Sequence, residues 1–223
     1  MRIGFISQGS LQTFWQTAQA WEEETPVADI LLFGFNGIRE ASYEKELKEE
    51  TAYFSETALL SKQLKNVVVC GCITNARGLR RKSAIVAEKG KILGVSDMVN
   101  VTDGEFNAGA GVRIYDTLAG KIGVIVAEDL YDPQLVHSLS ICGCDYVVCP
   151  FGELTDGLQA VLARAYAYCY GTPVAVCGEG GAMIAVEDGV LGFSSQQSPV
   201  YTEFSCKKEY HLIERRQKIH KPL

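Results

Sequence analysis

Three groups of residues in this chain have the types and spacing that chemistry requires. The first is the carboxylate pair Glu128 and Asp129, which closes the apolar run K-I-G-V-I-V-A-E-D at Lys121–Asp129. Such a run reads as a buried strand delivering its last residues to a site. Neighbours on a strand point to opposite faces, so the two are expected to support a site rather than act as an acid/base pair. The second group is Cys149 with Glu153, a thiol for nucleophilic attack and a carboxylate to take its proton. A Cys that closes an apolar strand also packs as a small hydrophobe, so that reading stands beside the catalytic one. The third is Cys70-x-Cys72 and Cys142-x-Cys144, whose spacing would put two metal ligands on one strand face. His137, His211 and His220 have no spacing that completes a tetrahedral set, so no metal is expected. The runs Gly178-Glu179-Gly180-Gly181 and Gly109-Ala110-Gly111 lack the Lys-Ser/Thr or strand–helix context of a phosphate loop, and no cofactor is expected.

Positioning these residues requires alternating strands and helices. Strands are expected at Arg2–Ser7, Asp29–Phe33, Asn66–Cys72, Lys121–Ala127, Asp145–Cys149 and Pro173–Cys177. Ser10 caps a helix with Leu11, Phe14, Trp15 and Ala18 on one face. One charged amphipathic helix is read over Tyr43–Lys65, with Leu47, Phe54, Ala58 and Leu64 inward. Two further helices follow, at Pro133–Ile141 and, capped by Thr155, at Asp156–Tyr170. Hairpins are expected across Lys89-Gly90 and Asp188-Gly189.

The two halves echo each other. V-V-V-C-G at Val67–Gly71 parallels V-A-V-C-G at Val174–Gly178, and A-I-V-A-E-K-G-K-I-L-G at Ala84–Gly94 parallels M-I-A-V-E-D-G-V-L-G at Met183–Gly192. A repeat of roughly a hundred residues is too long for a solenoid unit. It fits an α/β fold of two similar halves whose sheets pack face to face with helices outside, a four-layer α-β-β-α sandwich. No linker-like stretch divides them, so residues 1–223 read as one domain.

Composition sets the remaining bounds. With 47% hydrophobic and 22% charged residues over 223 positions, a sizeable core is available. A net charge of -6 argues against a nucleic-acid or anionic-membrane surface, and the basic pieces are as short as Arg80-Arg81-Lys82. The start Met1–Ile6 reads as a strand, not a signal peptide, and no apolar run is long enough to span a membrane. The eight cysteines are therefore expected to be reduced thiols in the cytoplasm.

Lys121–Pro133 resembles the nucleophile strand of the nitrilase (carbon–nitrogen hydrolase) superfamily, G-V-x-I-C-E-D-x-x-x-P, with Ala127 where the family has its catalytic Cys. Ala28–Phe33 resembles the family's A-D-x-V-V-F-P-E, which puts Phe35 at the general-base Glu; an insertion would bring Glu40 there instead. Gly94–Asn100 sits where the family has G-x-Y-R-K-x-H, which puts Met98 at the oxyanion-stabilising Lys. Phe106-Asn107-Ala108-Gly109 stands for the family's F-x-P-G, and Glu105 in that loop reads either as a solvated glutamate, the favoured reading, or as marking where a supporting carboxylate sat. The close, H-L-I-E-R-R-Q-K-I-H-K-P-L, resembles a basic C-terminal segment through which family members pair. The resemblance therefore implies a homodimer, with residues 198–223 at the interface.

Hydrolysis by the family's route needs a thiolate, a carboxylate to take its proton, and a cation near the developing oxyanion. Ala127, Phe35 and Met98 supply none of these. Losing one member of a buried Glu/Lys pair would leave a lone charge, a penalty of about 3–5 kcal/mol; replacing every member by an apolar group avoids it. The expectation is a pseudoenzyme with a binding, regulatory or assembly role, its old pocket apolar or filled by Phe35, Met98, Phe106 and Tyr131. Two alternatives are carried. One is a hydrolase of small amides using a relocated Cys149, or Cys72; the other is an oligomerisation unit without ligand. The ligand class implied by the resemblance is a small amide or carboxylate.

Overall fold

The computed structural model describes residues 1–19, 28–102, 104–154 and 157–206. The first half runs β1 (Arg2–Ile6), α1 (Leu11–Gln19), β2 (Ile30–Phe33), β3 (Glu40–Ser42), α2 (Tyr43–Leu47), α3 (Tyr53–Gln63), β4 (Val67–Ala76), β5 (Leu79–Glu88) and β6 (Lys91–Asp97). The second runs β7 (Arg113–Thr117), β8 (Gly120–Val124), α4 (Pro133–Ile141), β9 (Tyr146–Glu153), α5 (Leu158–Tyr170), β10 (Val174–Glu179), β11 (Gly181–Ala185), β12 (Leu191–Ser195) and β13 (Val200–Glu203).

One sheet has the order β13-β1-β2-β4-β5-β6, with β3 also paired to β4; the other has β12-β11-β10-β9-β8-β7. Within each, two parallel pairings are followed by two antiparallel ones: β1-β2-β4-β5-β6 in the first sheet, β8-β9-β10-β11-β12 in the second. The sequence echoes fall at matching places, on β4 and β10 and across the β5–β6 and β11–β12 hairpins. The halves are thus repeats in topology as well as in sequence.

Strand alternation sorts the side chains into layers. Ile30, Leu32, Val67, Val69, Ala84 and Val86 of one sheet meet Ile122, Val124, Tyr146, Val148 and Ala175 of the other in a shared core. The opposite faces pack under helices: Leu31, Phe33 and Val68 with Leu11, Phe14 and Leu60 on one side, Val147, Cys149 and Val174 with Val136, Ala163 and Tyr166 on the other. The order is α-β-β-α.

Several elements differ from the sequence reading. The helix over Tyr43–Lys65 is two helices, because the Glu46 carboxylate turns back to accept from the amides of Tyr53 and Phe54 at 3.0 and 3.2 Å. That caps α3 afresh and leaves Leu47 86% exposed instead of inward. The strand over Lys121–Ala127 stops at Val124, because Ala127 takes φ +50° and opens a 3-10 turn over Ala127–Tyr131. Residues 198–206 enter the first sheet through β13, antiparallel to β1. The expected cap Thr155 and the basic segment 207–223 lie outside the described residues.

Glycines let the sheets approach at one end of the sandwich. A Cβ on Gly71 would lie 2.9 Å from Pro150 Cβ and 3.2 Å from the Gly34 oxygen, and one on Gly34 would lie 3.0 Å from Gly178 Cα. There the Phe35 amide donates to the Phe151 carbonyl at 3.3 Å, a backbone bond between the sheets. Gly71→Ala should therefore destabilise the protein by about 1–3 kcal/mol, as overpacking does. Urea unfolding checks this, and an unchanged midpoint would contradict the close contact.

Candidate functional site

The 3-10 turn after β8 forms a sharp elbow. Its tip, Ala127, holds a left-handed conformation that costs a non-glycine residue about 1–2 kcal/mol. The turn is closed by the Asp129 amide donating to the Val126 carbonyl at 3.1 Å. Beneath it the Cys149 thiol donates to the Ala127 carbonyl at 3.7 Å.

The adjacent carboxylates engage different partners, from a turn rather than a strand end. Asp129 is fully buried and accepts from the backbone amides of Val99 (2.9 Å) and Asn100 (2.9 Å). Burial pushes its carboxyl up, while those amides hold it down. Asp132 caps α4 through the Gln134 amide and also accepts from the Asn100 side chain at 2.7 Å. Together they fasten the loop that follows β6 against the elbow. Met98, which begins that loop, is 2% exposed and sits in the shared core with Ala127; Phe35 packs against the same cluster. Ala127, Met98 and Phe35 thus belong to the one apolar cluster between the sheets.

Glu128 points elsewhere. Its two oxygens lie 2.7 and 2.8 Å from Lys82 Nζ, and the ammonium stands 5.1 Å from the Phe106 ring centre. Lys82 was missed in the sequence, where it closes the short basic run Arg80-Arg81-Lys82. Its sign was the register of β5: Lys82 shares a strand face with the core residues Ala84 and Val86.

Other expected site residues are not brought to this place. Glu105 is 59% exposed at its side chain and pairs with Arg80 at 2.7 Å, because its loop turns outward; it supports no pocket. Glu40 starts the edge strand β3 and lies 3.7 Å from Arg80. Phe106 lies under Arg80 and Lys82, and Tyr131, 43% exposed, packs edge-on to Phe151. The pairing of Cys149 with Glu153 is not made. Cys149 faces the helix layer, fully buried, whereas Glu153 is exposed where β9 ends. Burial, with the Asp129 and Glu128 carboxylates adding to it, raises the Cys149 thiol well above its usual range. Cys72 faces α3 and is raised likewise by burial. Neither environment favours a thiolate. No cluster of three or more metal-binding side chains occurs among the described residues, and no helix among them is long and apolar enough to cross a membrane.

Beside Phe35 the surface opens into a groove of about 830 Å³, whose lining includes Gln8, Asn36, Arg39, Glu153 and Glu179. It lies where the parallel strands β1, β2, β9 and β10 end.

A scan against protein-family models finds no match, and neither does a search of curated proteins. Solved structures do match. An amidase from Nesterenkonia sp. superposes with a TM-score of 0.73 over 90% of this chain and 88% of that one, at 17% identity. A carbon–nitrogen hydrolase from Helicobacter pylori G27 gives 0.75 over 98% and 92%, also at 17% identity. The fold is that of the nitrilase superfamily. A variant of the Nesterenkonia sp. AN1 amidase, whose active-site cysteine carries an acrylamide adduct, matches over 99% of this chain and 98% of its own with a TM-score of 0.76. At 17% identity the likeness to the nitrilase superfamily is one of fold.

The buried thiols give this nitrilase fold a definite response to alkali. Burial pushes the Cys177 thiol from 9.0 up to about 12, and Cys70, Cys72 and Cys149 are raised by the same cause. Above pH 9 the unfolded chain sheds these protons while the folded chain keeps them, so the folded state binds more protons. Stability is then full below about pH 9 and falls as pH rises toward 12, each raised thiol adding to the slope. Urea unfolding between pH 8 and 11 measures the slope, which Cys177→Ala should reduce. A slope the substitution leaves intact would contradict this origin.

Proposed function

We propose that this protein is a relative of the carbon–nitrogen hydrolases that has given up hydrolysis and acts by binding and assembly. The observation that carries this reading is Ala127: the elbow keeps its costly backbone conformation, yet its tip has no nucleophilic atom. Met98 and Phe35 support it, since side chains without charge pack where a cation and a base would be needed. Lys82 supplies no free cation in their place, being held by both oxygens of Glu128. The buried, protonated Cys149 gives the relocated-nucleophile alternative little support.

Incubating the protein with acetamide or acrylamide should release no ammonia above background and leave no adduct by mass spectrometry. Turnover abolished by Cys149→Ala would overturn the reading in favour of a relocated thiol. Restoring Ala127→Cys alone should also yield no acyl-enzyme, because base and cation are still missing.

The partner we propose is a second copy of the chain. α5 leaves Leu158, Val161 and Tyr168 exposed along one face, with Val190 exposed as well. Light scattering should report a dimer that Val161→Glu converts to monomer without lowering the melting temperature. A monomeric parent protein would count against assembly while leaving the loss of hydrolysis untouched.

A further inference from the structure

The groove beside Phe35 holds an arrangement that packing does not explain. Glu153 on β9 and Glu179 on β10 are register partners on neighbouring parallel strands, just past an irregularity in the ladder after Cys177. Strands lie about 4.8 Å apart, and like charges directly opposite one another are destabilising. Yet neither carboxylate has an ion-pair partner among the described residues, and nor does Arg39, which lines the same groove. The wall also contains Asn36. Its amide nitrogen donates to the Ser7 carbonyl at 2.8 Å, which fixes the side chain's orientation and leaves Oδ1 as a buried acceptor without a donor. The groove therefore carries negative charge at Glu153 and Glu179, while Arg39 adds a guanidinium that makes no ion pair among the described residues.

The position suits a ligand. The C-terminal ends of four parallel strands, two from each half, converge there, which is where open α/β sheets commonly bind small molecules. With Phe35 packed against the core, the groove stops short of the elbow, so a ligand would be held and not presented to Ala127.

We propose that this groove binds a small aminocarboxylate: a molecule with a protonated amine taken by Glu153 and Glu179 and a carboxylate taken by Arg39. The ammonium offsets the charge of both glutamates and donates to their exposed oxygens. The carboxylate finds in Arg39 a planar donor fork suited to it. The inference rests on the proposed function in taking the molecule to act by binding, and it names the ligand class.

Isothermal titration of the full chain tests it, with β-alanine, γ-aminobutyrate and ε-aminocaproate as probes and n-butylamine and butyrate as single-charge controls. At least one aminocarboxylate should bind more tightly than both controls. Glu179→Gln and Glu153→Gln should each weaken it by about tenfold, the scale of one charge-assisted hydrogen bond. Arg39→Gln should remove the advantage over n-butylamine and leave n-butylamine itself unchanged. These residues are exposed, so the variants should fold, and circular dichroism verifies that. No binding by any aminocarboxylate, or binding that the three substitutions leave intact, would overturn the proposal. Failure here with amide hydrolysis still absent removes the ligand class alone, whereas ammonia release from simple amides removes the reading beneath it.

Discussion

A buried carboxylate organises the centre of this protein. Asp129 has no contact with water, and two consecutive backbone amides, Val99 and Asn100, converge on it. A carboxyl in such a place is tolerable because those amides donate to it, and it satisfies them in turn. The bond couples two segments thirty residues apart in sequence, the elbow after β8 and the loop after β6. Met98 is buried because this clamp holds its loop down, and the turn that lifts Ala127 is the same turn that directs Asp129 inward. Position and conformation at the heart of the fold thus follow from one hydrogen-bonded group.

Around that clamp, polarity is arranged by depth. Apolar side chains occupy the interior positions, while charge is moved outward and paired: Lys82 with Glu128, Arg80 with Glu105. A buried cation without its carboxylate would be far more damaging than none at all. Phe35, Met98 and Ala127 carry no charge, so the core around the elbow has no such cation to balance.

Much of this was legible in the sequence. The central strands announce themselves through β-branched runs, and the echoes V-V-V-C-G and V-A-V-C-G marked corresponding strands of the two sheets. The edge strands β3, β7 and β13 were not legible, because Glu40–Ser42, Arg113–Thr117 and Val200–Glu203 carry short or polar patterns that only a paired neighbour organises. Glu46 hid the break between α2 and α3, since a side chain capping a helix seven residues ahead leaves no local signature. At the site, the apolar character of positions 35, 98 and 127 could be read from the sequence, and all three join the core between the sheets. The partnership of Lys82 with Glu128, and the alignment of Glu153 with Glu179, could not, because both depend on register between distant strands. Cys149 misled because alternation along β9 turns it toward the helices, a fact the apolar run around it conceals.

The glycine contacts between the sheets have a kinetic consequence. Backbone meets backbone at Gly34 and Gly178, Gly71 lies against the Pro150 side chain, and an inter-sheet hydrogen bond spans the same region, so the layers have little slack there. Tightly packed interfaces of this kind deform little. Traffic to the rim of the sandwich then needs no parting of the layers: a molecule arriving at the strand ends meets a surface already in its final shape. Its arrival should be governed by encounter and charge, without a slow opening step.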